Sequence, residues 1–182
     1  ITTVATYDGK TIKHYLNDEN LDEFVNDIYD YKVLITYNGK CFDVPFIERF
    51  FNIHIDHAQI DLRYILSSLG FKGGLKSCES QLGISRNELQ GVDGSFAIHL
   101  WNEYYYNGNQ KALDSLLAYN IQDAVNLEFL MYFAYNSNLE KLDFLNNRKF
   151  KIPKRPQIPF NPDMKTLNKI KSKMDLNRFM GF

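Results

Sequence analysis

The fold class is decided by residues 33–51, VLITYNGKCFDVPFIERFF. Its first five residues, VLITY, are apolar and partly β-branched, which is typical of a short buried strand. The pair Asn38-Gly39 ends that strand, and residues 42–51 predict a helix whose first turn holds Pro45, where a missing N–H costs little. A strand, a turn and a helix in this order indicate an α/β protein.

The flanking sequence extends this pattern in both directions. ITTVATY and TIKHYL predict a β-hairpin closed through Asp8-Gly9, a pair that tolerates the positive φ angles of a tight turn. A helix is expected over 21–31, with Asn20 as its cap and Glu23 three residues later. Periodicity then predicts a short strand within 53–60 and helices over about 61–69, 75–82, 95–106 and 111–135.

Composition excludes several classes of protein. The chain has 182 residues, of which 45% are hydrophobic and 24% charged, as in an ordinary globular domain. It has no apolar run of the roughly 20 residues that span a bilayer, and its first residues do not form a secretory signal. The two cysteines, Cys41 and Cys78, build neither a disulfide framework nor a cysteine-rich zinc site. We therefore expect a cytoplasmic protein with no membrane partner.

The last 45 residues differ from the rest. Residues 1–137 carry 10 Lys+Arg and 18 Asp+Glu, a net charge of −8, whereas residues 138–182 carry a net charge of +7. Prolines at 153, 156, 159 and 162 match the threefold period of polyproline II, and a short basic helix is expected from Met164 to about Phe179. We predict a globular domain over 1–137 and a proline-spaced strap with a basic tail over 138–182. The tail charge fits an anionic partner or a solvated surface, and the strap could instead dock a protein.

Two strings hold candidate chemical groups. Asp43 lies just past the predicted strand, at the sheet edge where α/β proteins bind ligands, although an aspartate there also caps a helix. Tyr119 and Asp123 are four residues apart on a predicted helix and so share one face. Taken alone, that second pair also fits a plain amphipathic surface.

Together the two strings are more specific. Asn38-x-x-x-Phe42-Asp43 followed by Tyr119-x-x-x-Asp123 resembles the second and third motifs of the DEDD-type 3′→5′ exonucleases, in the variant with a tyrosine. The strings DLR (61–63), LKSCE (75–79), LGISR (82–86) and LW (100–101) are similar to the YprB-type ribonuclease H-like domain. The resemblance covers about residues 1–135. It implies a ribonuclease H-like α/β fold: a mixed sheet that begins with an antiparallel hairpin and has helices on both faces.

The resemblance also implies a function, a metal-dependent 3′→5′ exonuclease that acts on single-stranded DNA or RNA ends with two ions, Mg²⁺ or Mn²⁺. Asp43 and Asp123 would be metal ligands, and Tyr119 would position the attacking water. Asn38 would fix its loop or touch substrate. Because cations beside an acidic nuclease site contact phosphates, Lys40, Lys76 and Arg86 are candidate substrate-binding residues, although Lys76 and Arg86 would equally suit a solvated helix face.

The chain departs from the pattern in one respect. The first motif of these exonucleases is a D-x-E pair on the central strand, and residues 1–60 contain no D-x-E. We therefore expect this strand to be absent from the chain, which leaves a gap with two unpaired strand edges. The strand could lie in a longer natural protein or come from a partner chain. The chain could also be a degenerate relative, which makes a non-catalytic nucleic-acid-binding module the alternative function.

Overall fold

The computed structural model describes residues 1–142 and 148–180. Four strands and seven α-helices follow one another along these residues, with one short 3₁₀ helix at Asn87–Leu89. The strands are β1 (Thr3–Tyr7), β2 (Ile12–Leu16), β3 (Val33–Thr36) and β4 (Ala58–Asp61). The helices are α1 (Glu23–Ile28), α2 (Asp43–Phe51), α3 (Leu62–Ser68), α4 (Leu75–Gln81), α5 (Gly94–Asn107), α6 (Gln110–Leu139) and α7 (Met164–Met180).

The strands form two separate two-stranded sheets. β1 and β2 pair antiparallel as the predicted hairpin, and β3 and β4 pair parallel, with Thr36 opposite Asp61. Asp8 and Gly9 form the hairpin turn, in which Gly9 has a φ of 88° and the Asp8 carboxylate accepts the amides of Lys10 and Thr11. No strand of the described residues joins the hairpin to the parallel pair. The predicted gap in the sheet is therefore present.

Helices lie on both sides of the strands, as expected. On one side, α1 and α2 cover a cluster that includes Tyr15, Phe24 and Val44, against which Leu34 of β3 packs. On the other side, α3, α4 and α6 cover a cluster against which Ile60 of β4 packs. The alternate residues of β3 remain uncovered: Val33 is 46% exposed. The prediction that β3 is a buried strand is therefore wrong for Val33 and Ile35, because the second edge of β3 pairs with no described strand.

Two sequence expectations about helices need correction. The first helix is shorter than 21–31, and Asn20 does not cap it. The Asn20 side chain instead accepts the amide of Leu16 and donates to the carbonyl of His14, so it ties the following turn to β2. The helix predicted over 111–135 is longer and forms a single 30-residue helix, α6. Its buried residues lie on several faces because strands, helices and the C-terminal strap surround it.

The strap runs antiparallel along α6. At one end, the Asn136 side chain exchanges two hydrogen bonds with the backbone of Phe150. Near the middle, the guanidinium of Arg155 lies 5.8 Å from the ring centre of Phe129. At the other end, the amide of Asp163 donates to the Ser115 hydroxyl at 2.9 Å. The strap thus covers a face of α6 and delivers the chain to the start of α7.

Helix α7 is docked on the body by apolar and ionic contacts. Leu167 and Ile170 are 4% and 3% exposed and pack in the core cluster that also contains Tyr119. Lys169 reaches the nearly buried carboxylate of Glu103 at 2.8 Å. No described helix is both long and apolar enough to cross a membrane.

Candidate active site

The loop between β3 and α2 is shaped to bring Asp43 to the end of the strand. Asn38 adopts a left-handed conformation with a φ of 64°. Gly39 lies against the Thr36 side chain, where an added Cβ would come within 2.5 Å of the Thr36 Cβ, so only glycine fits. The amide of Val44 donates to the Gly39 carbonyl at 2.8 Å. Helix α2 then begins at Asp43, whose charge lies at the positive end of the helix.

Asp61 holds this loop from the neighbouring strand. Its carboxylate is 6% exposed and accepts the amides of Asn38 at 2.7 Å and Lys40 at 3.2 Å. It also accepts the amide of Arg63 at 3.1 Å and so caps the start of α3. One buried carboxylate thus fixes both the start of a helix and the loop that precedes Asp43. The contact with the loop depends on the parallel pairing of β3 and β4, which brings Asp61 beside the end of β3.

Helix α6 presents the other half of the site. Tyr119 and Asp123 lie one turn apart on it. Burial raises the pKa of Asp43, and the nearby charges of Asp61 and Asp123 raise it further. The structure therefore brings the two predicted metal ligands, Asp43 and Asp123, within electrostatic range of each other, although 80 residues separate them in the chain. Asp43 is still accessible to solvent.

A buried ionic network anchors Asp123. Arg86 is 5% exposed, and its Nη2 lies 2.6 Å from Oδ1 of Asp123. The same guanidinium makes a bidentate pair with Glu79, which is 1% exposed. Asn126, on α6, donates to Glu79 Oε1 at 2.7 Å. Burial raises the pKa of Asp123, while the charges of Arg86 and Lys76 act in the opposite direction.

Lys76 makes the corresponding contact to the tyrosine. Its Nζ donates to the Tyr119 hydroxyl at 2.7 Å and lies 4.5 Å from the centre of the ring. Burial lowers the pKa of Lys76. Burial, together with the charge of Asp123, raises the pKa of Tyr119. The tyrosine therefore keeps its proton at neutral pH and serves as a hydrogen-bonding group rather than a base.

The predicted site residues fall into two groups. Asp43, Tyr119, Asp123, Lys76 and Arg86 converge, through direct contacts or through their charges. The other two, Asn38 and Lys40, belong to the loop. The Asn38 side-chain oxygen accepts a hydrogen bond from Arg63, and Lys40 is exposed.

Two residues of this network were missed in the sequence, Glu79 and Asn126. Each lies three residues after a predicted site residue, Glu79 after Lys76 and Asn126 after Asp123, and so on the same helix face. That spacing was the available signal. It could not show that the two side chains meet each other, because they come from different helices.

The donor chemistry of the site suits a hard divalent cation, but the donors are few. Carboxylate oxygens are the ligands that Mg²⁺ and Mn²⁺ prefer, and a cation would offset the burial and the like charges that raise the pKa of Asp43. Yet residues 1–142 and 148–180 contain no group of three or more histidine, cysteine, aspartate or glutamate side chains placed to hold a metal. The described residues thus contribute part of a metal site and not a complete one.

Comparison with known families shows to which superfamily the chain belongs. Residues 1–135 match the family model RNase_H_2, of the RNase_H superfamily. The match covers about three quarters of the chain, so the chain belongs to this superfamily, and the α/β fold with its hairpin, parallel strands and flanking helices agrees with it. Members of this class act on nucleic acids, typically as nucleases with divalent metals. No curated protein and no solved structure matches the chain.

Proposed function

We propose that this protein is a metal-dependent 3′→5′ exonuclease that cleaves single-stranded nucleic acid ends, as a YprB-type member of the superfamily. The observation that carries the proposal is the convergence of Asp43 and Asp123, from a strand end and a distant helix, with Tyr119 one turn from Asp123. Two carboxylates beside a tyrosine suit phosphodiester hydrolysis with divalent cations. Burial, together with the charges of Asp61 and Asp123, disfavours the ionised form of Asp43 unless a cation is bound.

Asp43 and Asp123 would hold Mg²⁺ or Mn²⁺. The metal, when bound, lowers the pKa of a water and stabilises the charge that develops on the leaving oxygen. Tyr119, protonated and held by Lys76, would orient that water through its hydroxyl. Arg86 would keep the Asp123 carboxylate in one orientation through its contact with Oδ1. Lys40, exposed beside the loop, would contact the phosphate backbone.

The missing carboxylates fit the gap between the two sheets. β1 and β3 each have an edge that pairs with no described strand, and Val33 is exposed beside this gap. A strand inserted there would complete the sheet next to the end of β3, where Asp43 begins α2. We therefore propose that a strand with a D-x-E pair occupies the gap, from the same protein or from a partner chain, and supplies the remaining metal ligands.

The basic segment would add sequence-independent affinity. Lys149 and Lys169 are engaged with Glu140 and Glu103, but Lys151, Lys154 and Lys165 are exposed on the strap and α7. Exposed cations of this kind bind phosphates and release counterions, so binding should weaken steeply with salt. This contribution, like a cytoplasmic location, belongs to the proposal.

A second candidate function is a non-catalytic nucleic-acid-binding module. The observation that favours it is the ion pair between Asp123 and Arg86. The guanidinium of Arg86 already neutralises Asp123, one of the two predicted metal ligands, as expected if no metal binds. Metal dependence distinguishes the two functions, because a binding module should hold single strands equally well with Mn²⁺ or with EDTA.

The test is cleavage of end-labelled single-stranded DNA and RNA by the product of the complete reading frame that encodes this chain. We expect shortening from the 3′ end with Mn²⁺ and none with EDTA. Asp43→Asn and Asp123→Asn should each abolish cleavage while circular dichroism shows an intact fold. Asp56→Asn, which changes an exposed carboxylate away from the site, is the matched control and should remain active. Cleavage that survives Asp43→Asn would remove the basis of the proposal.

A further inference from the structure

The end of helix α5 presents an aromatic surface to solvent. Tyr105 and Tyr106 are 55% and 75% exposed, and their rings meet edge to face with 5.1 Å between the ring centres. Trp101, one turn earlier, stacks on Tyr105 with 5.7 Å between the ring centres. Because Trp101 also packs against the core, it holds the exposed tyrosine in place. Contiguous exposed aromatic side chains of this kind are typical of a binding surface.

A cavity of about 210 Å³ adjoins this surface, between α5 and the C-terminal helix α7. Its lining from α5 includes Tyr106 and two polar residues of the same helix face, His99 and Asn102. Its lining from α7 includes Lys173, whose side chain is 60% exposed. The cavity thus combines an aromatic ring, side chains that donate and accept hydrogen bonds, and a cation.

The carboxylate of Glu103 also lines this cavity, but it is neutralised from α7. Its Oε1 lies 2.8 Å from Nζ of Lys169, and its Oε2 lies 3.7 Å from Nζ of Lys173. Asn107 donates a further hydrogen bond to Oε2 at 3.1 Å. Two ammonium groups therefore face one carboxylate, which leaves a net positive charge beside the exposed tyrosines.

These groups match the parts of an unstacked nucleotide. A tyrosine ring stacks on the face of any base, amide side chains hydrogen-bond to base edges, and an ammonium binds the phosphate. In a duplex the neighbouring bases cover each base face, so only a single strand offers its bases for stacking. We propose that Tyr105 and Tyr106 of α5, together with Lys173 of α7, bind unpaired bases of a single-stranded nucleic acid.

This surface lies at a distance from the candidate active site. Burial lowers the pKa of Lys76, while the nearby charges of Asp123 and Asp93 act in the opposite direction, so Asp93 lies near that site. Asp93 caps the start of α5, and the helical rise places Tyr106 about 20 Å further along the helix. A strand with its 3′ end at the candidate active site would follow α5 to reach the tyrosines. In this respect the inference rests on the proposed function, to which it adds a second binding region.

The experiment measures the binding of labelled oligonucleotides to the chain by fluorescence anisotropy, in EDTA and so without metal-dependent cleavage. The probes are a short oligoadenylate of DNA or of RNA, an abasic strand of the same length and a blunt duplex. The abasic strand and the duplex should bind at least about fivefold more weakly than the oligoadenylate, because neither offers a base for stacking. Trp101 is the single tryptophan of the chain and lies against Tyr105, so the oligoadenylate should also quench its fluorescence.

Variants assign the binding to this surface. Tyr106→Ala should weaken oligoadenylate binding about 5- to 150-fold, the effect of losing one stacked base, whereas Tyr106→Phe keeps the ring and should bind like the unchanged chain. Lys173→Met should reduce the slope of log affinity against log salt by about 0.7, the effect of losing one phosphate contact. The matched control is Tyr29→Ala, which removes an exposed tyrosine at the end of α1 and should leave binding unchanged.

The proposal is overturned if the abasic strand binds as tightly as the oligoadenylate or if Tyr106→Ala has no effect. It is also overturned if sedimentation shows a dimer that Tyr106→Ala converts to a monomer, because a second copy of the chain then covers the surface. Since no metal is present, failure here leaves the nuclease test unaffected, and a failed nuclease test leaves this one valid.

Discussion

Replacing Arg86 by methionine tests the buried ionic network most sharply. Arg86 and Glu79 are 5% and 1% exposed, and the guanidinium contacts two carboxylates. Arg86→Met would leave the Glu79 carboxylate buried without its cation, and only Asn126 would still donate to it. Removing one partner of a buried pair costs about 3–5 kcal/mol of unfolding free energy, because the remaining charge is uncompensated.

The assay is urea denaturation followed by circular dichroism, with a thermal melt as a second measure. For a chain of this length, 1 kcal/mol corresponds to about 2–4 °C, so the melting temperature should fall by about 6–20 °C. The control is Lys149→Met, which breaks the exposed pair with Glu140 and should cost about 0–1 kcal/mol. The double variant Glu79→Leu/Arg86→Met should cost less than the sum of the two single changes. An Arg86→Met protein within 1 kcal/mol of the unchanged chain would show that the ion pair of Arg86 with Glu79 does not stabilise the fold.

Three further changes probe the loop that carries Asp43. Asp61→Ala should accelerate hydrogen exchange of the Asn38 amide, which loses its 2.7 Å acceptor, as measured by mass spectrometry. Gly39→Ala should cost about 1–3 kcal/mol in urea denaturation, because its Cβ would overlap Thr36. Asp43→Asn should raise the melting temperature of the metal-free protein at neutral pH, since the pKa of Asp43 is raised on folding and its ionised form is therefore disfavoured. That gain should vanish as the pH falls through the raised pKa, where Asp43 takes up a proton.

Two control substitutions show whether the changes in stability are specific to Gly39 and Asp43. Gly74→Ala introduces a Cβ that meets nothing within 4 Å and should leave stability nearly unchanged, unlike Gly39→Ala. Asp56→Asn removes an exposed carboxylate and should not show the pH-dependent gain of Asp43→Asn. Equal melting temperatures for Asp43→Asn and the unchanged chain at every pH would show that Asp43 is not held against like charges.

Local sequence signals predicted most of the fold. The Asp8-Gly9 turn, the strand predicted over 33–37 and the helix predicted over 42–51 each follow from a short pattern. The structure confirms them, with the strand at Val33–Thr36 and the helix at Asp43–Phe51. The prediction that Asn20 caps the first helix is wrong because the Asn20 side chain forms its hydrogen bonds with the backbone of β2 instead. Val33 is exposed because no described strand fills the gap in the sheet. The absence of a D-x-E pair from residues 1–60 had predicted this gap.

Several residues of the candidate site could be predicted from the sequence, but their contacts with one another could not. Spacing placed Tyr119 and Asp123 on one helix face, and the strand-end rule placed Asp43 at the sheet edge. Side-chain contacts between different helices and strands leave no local pattern in the sequence. The clamp of Asp61 on the loop and the contact of Arg86 with Asp123 join residues more than 20 positions apart, and only the folded chain brings them together.

In the function proposed, the carboxylates at the end of β3 and on α6 would serve a metal-dependent nuclease. The most direct measurement is the 3′-end shortening of a labelled single strand by the product of the complete reading frame, with Mn²⁺ and with EDTA, for the unchanged protein and for Asp43→Asn. We expect stepwise shortening only with Mn²⁺ and only in the unchanged protein. Single-strand binding without cleavage, the same with Mn²⁺ and with EDTA, would contradict it and favour the binding module.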